Sequence, residues 1–184
     1  MIASAQCAEL IETPFSGVLT DLALNNGPDI DLATAPALPA VENCVPMAQL
    51  TPRPTAIHDQ LIARLDPATA THWRDGDQNA PAEVRAWLGF SDGTAPDVFS
   101  LPLFADALPP PVFRRVGFTG WVPTVELTVH MHRAPAPGLL RVCFATSHVT
   151  GGLLHEDGKL WDSSGRLVAL SRQLAVLTPP RATG

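Results

Sequence analysis

The hydrophobic residues of this chain recur mainly at every second position, which is the period of a β-strand with one buried face. Over residues 125–132 apolar side chains stand at the odd positions and polar side chains at the even positions. The same period predicts strands at residues 57–65, 83–90, 124–133, 139–149, 152–161 and 166–177. Short breaks separate the last four of these strands, so we expect neighbours in the chain to pair antiparallel.

One stretch departs from this period and predicts a helix over residues 95–108. Its apolar side chains follow helical spacing, Pro96 fits a first helical turn, and the proline run 109–111 ends the pattern. Pro102 lies inside the stretch and predicts a kink or a broken start. One helix with a series of antiparallel strands is an α+β layout, and a sheet wrapped around one central helix is the hotdog fold.

The N-terminal third differs from the rest of the chain in charge and in proline content. Residues 1–56 hold six acidic residues and one basic residue, together with seven of the nineteen prolines. Proline favours extended backbone and lacks a hydrogen-bond donor. We therefore predict an N-terminal piece over 1–26, a Pro-rich acidic linker over 27–56, a folded domain over 57–177 and a tail over 178–184.

Composition indicates a globular protein and argues against some classes of partner. Apolar residues make up 46% of the chain and charged residues 16%, which is enough apolar material for a packed core. The net charge is -6 and basic residues do not cluster, so nucleic acid is a poor partner. No apolar run reaches the roughly 18 residues that span a bilayer, and the first ten residues do not resemble a signal peptide. We expect a cytoplasmic protein.

The sequence gives little support to metal, disulfide or serine-nucleophile chemistry. The three cysteines are Cys7, Cys44 and Cys143, an odd number without a close pair. His130 and His132 alternate on one predicted strand, but no third ligand has suitable spacing, so we interpret them as a solvated or interface face. There is no GxSxG motif for a serine hydrolase. The run His155–Gly158 is typical of a polar turn.

Five short segments carry a more specific pattern. They are LFADALPP at 103–110, VPTVELTVH at 122–130, LWD at 160–162, GRLVA at 165–169 and SRQLA at 171–175. In this order and spacing they resemble the C-terminal hotdog repeat of the acyl-CoA thioesterase II family, over about residues 57–177. The resemblance implies a hotdog fold and hydrolysis of the thioester bond of an acyl-CoA.

The resemblance also implies which residues act. In that family an Asp, a Thr or Ser and a Gln activate the water that hydrolyses the thioester, and the matching positions are Asp106, Thr124 and Gln173. Desolvation at the end of an apolar helix raises the pKa of a carboxyl, which suits a base, while neutral hydroxyl and amide groups hold water or the thioester oxygen. Phe104 and Trp121 adjoin these positions and are expected to line the substrate pocket. This chemistry needs no metal and no cofactor.

The length of the chain differs from the family pattern of two hotdog repeats side by side. Residues 1–26 can supply at most the last strand or two of a first repeat, so we expect a chain that lacks most of that repeat. Substrate in hotdog proteins usually lies between two repeats, so we expect homo-oligomerisation or pairing with another repeat. Two functions stay open, an acyl-CoA thioester hydrolase and a non-catalytic hotdog module for acyl binding or oligomerisation.

Overall fold

Residues 3–7, 15–22, 27–50 and 56–177 are described by the computed structural model, and the chain divides into two units after Ile30. In the first unit, strands β1 (Ala3–Cys7) and β2 (Phe15–Leu19) pair antiparallel. The second unit, Asp31–Gly184, contains the predicted domain. The predicted tail over 178–184 lies outside the described residues.

The described part of the second unit is built on one antiparallel sheet of seven strands. These are β3 (Val45–Pro46), β4 (Leu61–Leu65), β5 (Glu83–Phe90), β6 (Thr124–Met131), β7 (Leu140–Thr150), β8 (Leu153–Trp161) and β9 (Leu167–Val176). Their order across the sheet is β3-β4-β5-β7-β8-β9-β6. Strand β6 is therefore at one edge of this sheet, and its partner β9 is the last of the described strands.

The predicted strands are confirmed, with one shortened. Strand β5 has the predicted bounds, and β6 to β9 begin and end within two residues of the predicted positions. In the predicted strand 57–65 the first part is a 3-10 helix, Ala56–Gln60, and strand β4 occupies Leu61–Leu65. These strands could be predicted because apolar and polar residues alternate along a strand when one face of its sheet is covered.

The predicted single helix over 95–108 is wrong in its extent. The structure has a short helix α1 (Leu101–Ala105) and a second short helix α2 (Phe113–Val116). Before α1, the Ser100 backbone N–H donates to Asp97 Oδ1 at 2.8 Å and the Asp97 N–H donates to Ser100 Oγ at 2.8 Å. These two bonds close a turn in place of the first predicted helical turn.

The core lies between these helices and the inner face of the sheet. Leu101 and Phe104 of α1 are fully buried, and the Phe104 ring lies 5.0 Å from the Phe90 ring of β5. The helix packs against β6 and β8. The inner-face core residues of the central strands are Val84, Ala86, Leu88, Leu140, Val142, Phe144, Leu154 and Leu160. The short helix is thus held by its apolar side chains rather than by its length.

Part of the predicted linker makes ordered contacts with the sheet. The indole N–H of Trp161 donates to Ala33 O at 3.0 Å, and that of Trp87 donates to Pro39 O at 2.9 Å. Strand β3 pairs with β4, and Met47 is 3% exposed within the core. Proline carbonyls can still accept hydrogen bonds, so a proline-rich stretch can be fixed by donors from the sheet.

A buried arginine holds together the loops that precede β5. Arg114 of α2 is 5% exposed. Its guanidinium donates to the carbonyl oxygens of Pro81 and Glu83 at 2.9 Å each, of Thr71 at 3.3 Å and of Ala68 at 3.4 Å. This charge is buried with a full set of hydrogen-bond acceptors.

Candidate active site

Three polar side chains that are distant in sequence meet through one amide group. Gln173 Nε2 donates to Asp106 Oδ1 at 2.8 Å and to Thr124 Oγ1 at 2.6 Å. Gln173 is 67 positions from Asp106 and 49 from Thr124 in the chain. The fold therefore brings together the three residues that the sequence analysis selected.

Asp106 reaches this point because α1 ends there. Its backbone N–H donates to Leu103 O at 3.2 Å, which is the last bond of the helix. Behind it, Phe104 and Ala105 are buried, so the end of the helix is fixed in the core. The carboxylate projects from this anchored end toward the edge of the sheet where β6 and β9 pair.

Thr124 reaches the site because of a β-bulge. Strict alternation would put Thr124 on the face of β6 opposite to Leu127. In the structure Thr124 pairs with Ala175 and Leu127 pairs with Gln173, with a register shift between Thr124 and Glu126. The additional residue of β6 turns Thr124 to the same face as Leu127 and Gln173.

Gln173 lies on the inner face of β9. The inner-face neighbours Ser171 and Ala175 are buried. Arg172 lies on the outer face, where its guanidinium donates to Asp157 at 2.7 and 3.1 Å. An inward glutamine needs hydrogen-bond partners, and Asp106 and Thr124 supply them.

The two hydrogen bonds determine which end of the Gln173 amide faces Asp106 and Thr124. An ionised carboxylate only accepts hydrogen bonds, so the contact with Asp106 requires the amide N–H of Gln173. Both amide hydrogens are then used, one to Asp106 and one to Thr124. The second carboxylate oxygen and the hydroxyl hydrogen of Thr124 take no part in these two bonds. They are the groups of the cluster that can contact a water or a substrate.

The surroundings of Asp106 favour its use as a base. Burial raises the pKa of this carboxyl above its ordinary value, and the hydrogen bond from Gln173 lowers it by a smaller amount. The carboxyl is nonetheless open at the surface of this chain. A base of raised pKa holds a transferred proton more firmly than an ordinary aspartate does.

Comparison with known proteins identifies the family. A family model described as the acyl-CoA thioesterase C-terminal domain matches residues 41–177. The chain belongs to this family.

Two solved structures and one curated relative are similar to this chain. A candidate thioesterase II from Thermobifida fusca YX is 30% identical, has a TM-score of 0.70 and is matched over 90% of this chain and 60% of its own. A hot dog fold protein of unknown function from Alicyclobacillus acidocaldarius is 17% identical with a TM-score of 0.74, over 90% and 61% of the two chains, which shows the fold. An uncharacterized protein of Mycobacterium tuberculosis (strain ATCC 25618 / H37Rv) is 36% identical over 104 residues, 56% of this chain and 35% of that protein.

The part of the mycobacterial relative that this chain matches is 35% of its length. For the Thermobifida structure the matched share is 60%. Its fold is the hotdog fold, with a large antiparallel sheet.

The two residues expected to line the substrate pocket lie in different surroundings. Phe104 is fully buried in the core against Phe90, while Trp121 is 75% exposed just before β6. Neither makes one of the hydrogen bonds of the Gln173 cluster. Their roles in substrate binding stay predictions.

The sequence analysis missed Glu156, and its interpretation of His155–Gly158 as a polar turn is wrong because these residues lie inside β8. Glu156 is 6% exposed and pairs in register with Gln173. Burial, and after it the negative charges of Asp106 and Asp157, raise the pKa of its carboxyl to about 8. The signal was present in the sequence, since Glu156 shares its face with the apolar residues of β8.

Among the described residues, no group of three or more His, Cys, Asp or Glu side chains is arranged to hold a metal ion. The described helices are too short and not apolar enough to cross a membrane. His130 is exposed on β6, where it pairs in register with Leu170 of β9.

Proposed function

We propose that this chain hydrolyses acyl-CoA thioesters, with Asp106 as the base that activates water. The observation that carries the proposal is the pair of hydrogen bonds from Gln173 Nε2 to Asp106 and Thr124. One amide holds a carboxylate beside a hydroxyl, so a water between them meets an acceptor on one side and a donor on the other. Membership of the acyl-CoA thioesterase C-terminal domain family supports the choice of substrate class.

The reaction follows from the chemistry of these groups. Asp106 takes a proton from water, and the water oxygen attacks the carbonyl carbon of the thioester. The hydroxyl of Thr124 donates to the water or to the oxygen on which negative charge develops. The C–S bond then breaks, the CoA thiolate leaves, and the proton held by Asp106 is returned to it. The products are the free acid and CoA, and a thiol with a pKa of about 8.5 is a good leaving group.

A second repeat is part of this proposal, because the site is open on one side. Thr124 and Asp106 are exposed, and the nearby apolar residues Val125 and Trp121 are 58% and 75% exposed. An acyl chain requires apolar walls that exclude water. We therefore propose that self-association, or pairing with another hotdog repeat, completes the pocket.

The test is hydrolysis of a panel of acyl-CoAs of different chain length, followed with a thiol reagent. We expect turnover that falls at low pH as Asp106 becomes protonated. The variant Asp106→Asn keeps the shape of the side chain and loses its basicity, so its kcat should be about a thousandfold lower. Asp157→Asn, on the outer face of β8, is the matched control and should retain activity.

Two results would overturn the proposal. Undiminished hydrolysis by Asp106→Asn would exclude this aspartate as the base. Binding of acyl-CoA without turnover at any protein concentration would favour the alternative, a non-catalytic hotdog module for acyl binding or oligomerisation. Light scattering at the assay concentrations distinguishes an inactive monomer from an inactive oligomer.

A further inference from the structure

Glu156 occupies the position beside the catalytic candidates in the sheet. In register it lies between Thr146 of β7 and Gln173 of β9. Directly paired side chains of neighbouring antiparallel strands have Cβ atoms about 4.5 to 5.5 Å apart. Glu156 is therefore an immediate neighbour of the amide that bridges Asp106 and Thr124.

The surroundings of Glu156 do not compensate a negative charge. It is 6% exposed, and among the described residues its Oε2 atom has no hydrogen-bond partner. The inner faces of β7 and β9 offer it the uncharged side chains of Thr146 and Gln173. Arg172, the nearby cation of β9, lies on the outer face and is paired with Asp157.

Among the described residues, the charge that acts on Glu156 from the inner side of the sheet is that of a carboxylate. Helix α1 packs against β8 and carries no charged side chain, and the residue that follows it is Asp106. A second anion here would be buried, unpaired and close to the first. Burial and the charge of Asp106 accordingly raise the pKa of Glu156 to about 8, so this side chain is a neutral carboxylic acid at neutral pH.

We propose that Glu156, as a neutral acid, is a positioning residue that donates a hydrogen bond to the amide oxygen of Gln173 and keeps a second negative charge out of the site. The two bonds of Gln173 use its nitrogen alone, so its Oε1 atom is the acceptor that remains for a neighbour. A donor at that oxygen fixes the amide with its nitrogen toward Asp106 and Thr124. The kinetic part of this inference rests on the proposed hydrolase function.

The kinetic test uses two variants. Glu156→Gln stays neutral and keeps a donor at every pH, so its kcat at pH 7 should lie within about threefold of the wild type. Ionisation of Glu156 should make the wild type about tenfold slower at pH 9 than at its plateau, a decline that Glu156→Gln lacks. Glu156→Leu removes the donor and should lower kcat at pH 7 about tenfold with little change in KM.

A readout without substrate separates failure of this inference from failure of the proposed function. In NMR spectra of the intact protein, the side-chain amide resonances of Gln173 should shift as Glu156 titrates near pH 8, and should not do so in Glu156→Gln. Shifts in a protein that hydrolyses no thioester would uphold the positioning role and reject the hydrolase. Resonances of Gln173 that stay constant between pH 6.5 and 9.5 would overturn the inference. A decline of kcat at high pH that persists in Glu156→Gln would overturn it as well.

Discussion

Two polar clusters in this domain differ in how their buried ionisable groups are compensated. Around Arg114, the guanidinium donates to the four carbonyl oxygens of Ala68, Thr71, Pro81 and Glu83. Around Gln173, two carboxyl groups lie close together, and Oε2 of Glu156 has no hydrogen-bond partner among the described residues. The hydrogen bonds of Arg114 hold together the loops that precede β5. In the second cluster, a negative charge on the buried Glu156 would destabilise the folded protein.

The difference predicts a separate role for each cluster. A buried charge with a full set of hydrogen bonds stabilises the elements that supply its partners. Groups that are buried without compensation cost free energy, and such sites are typical of functional positions where a shifted pKa is useful. Loss of the first cluster should therefore affect stability, and loss of the second should affect activity.

The largest expected effect on stability comes from Arg114→Met. The substitution keeps an apolar stem but leaves four carbonyl oxygens without their donor, and loss of one partner from a buried charged network costs about 3 to 5 kcal/mol. Urea denaturation followed by circular dichroism measures the change. Below the transition the folded fraction should keep the kcat of the wild type.

Arg115→Met is the matched control for this prediction. Arg115 is the next residue of α2 and is exposed, so its replacement should cost less than about 1 kcal/mol. If the two variants lost equal unfolding free energy, the comparison would be contradicted, because the burial of Arg114 would then make no difference to stability.

A smaller effect, on activity and not on stability, is expected from Gln173→Ala. The substitution removes both hydrogen bonds of the bridge while Asp106 and Thr124 stay in place, so kcat should fall about 10- to 100-fold. The urea midpoint should change little, because the side chain is partly exposed. Arg172→Ala, on the opposite face of β9, should keep the wild-type kcat; a loss equal to that of Gln173→Ala would assign the effect to the strand and not to the amide.

The strands and the three site residues could be predicted from the sequence for different reasons. Alternation of apolar and polar residues reports on one covered face, which is why β5 and β9 were found. Asp106, Thr124 and Gln173 came from a family resemblance, because no local pattern indicates that residues 67 and 49 positions apart will meet. Their catalytic roles stay predictions.

The misses have local physical causes. The helix over 95–108 was overestimated because apolar spacing alone does not reveal the side-chain bonds of Asp97 and Ser100 that replace its first turn. The bulge at the start of β6 breaks strict alternation, so the apolar pattern of 125–132 alone does not reveal that Thr124 faces Gln173. Glu156 was assigned to a turn because a buried carboxyl looks polar in sequence, although its strand neighbours show that it faces inward.

The last prediction sharpens the comparison through the pH dependence of stability. The pKa of Glu156 is raised to about 8 in the folded state, while an unfolded glutamate titrates near about 4.3. Between these values the folded protein holds a proton that the unfolded chain has lost, so stability falls as pH rises, by up to about 1.4 kcal/mol per pH unit for this group. Glu156→Gln has no such proton, so the difference in unfolding free energy between it and the wild type should grow from pH 5 to pH 8 and then level off.

Urea titrations at each pH measure this difference curve, and Asp157→Asn on the outer face should keep most of the wild-type slope. A flat difference curve would show that Glu156 is ionised in the folded protein and would place its cluster with that of Arg114, as a compensated charge.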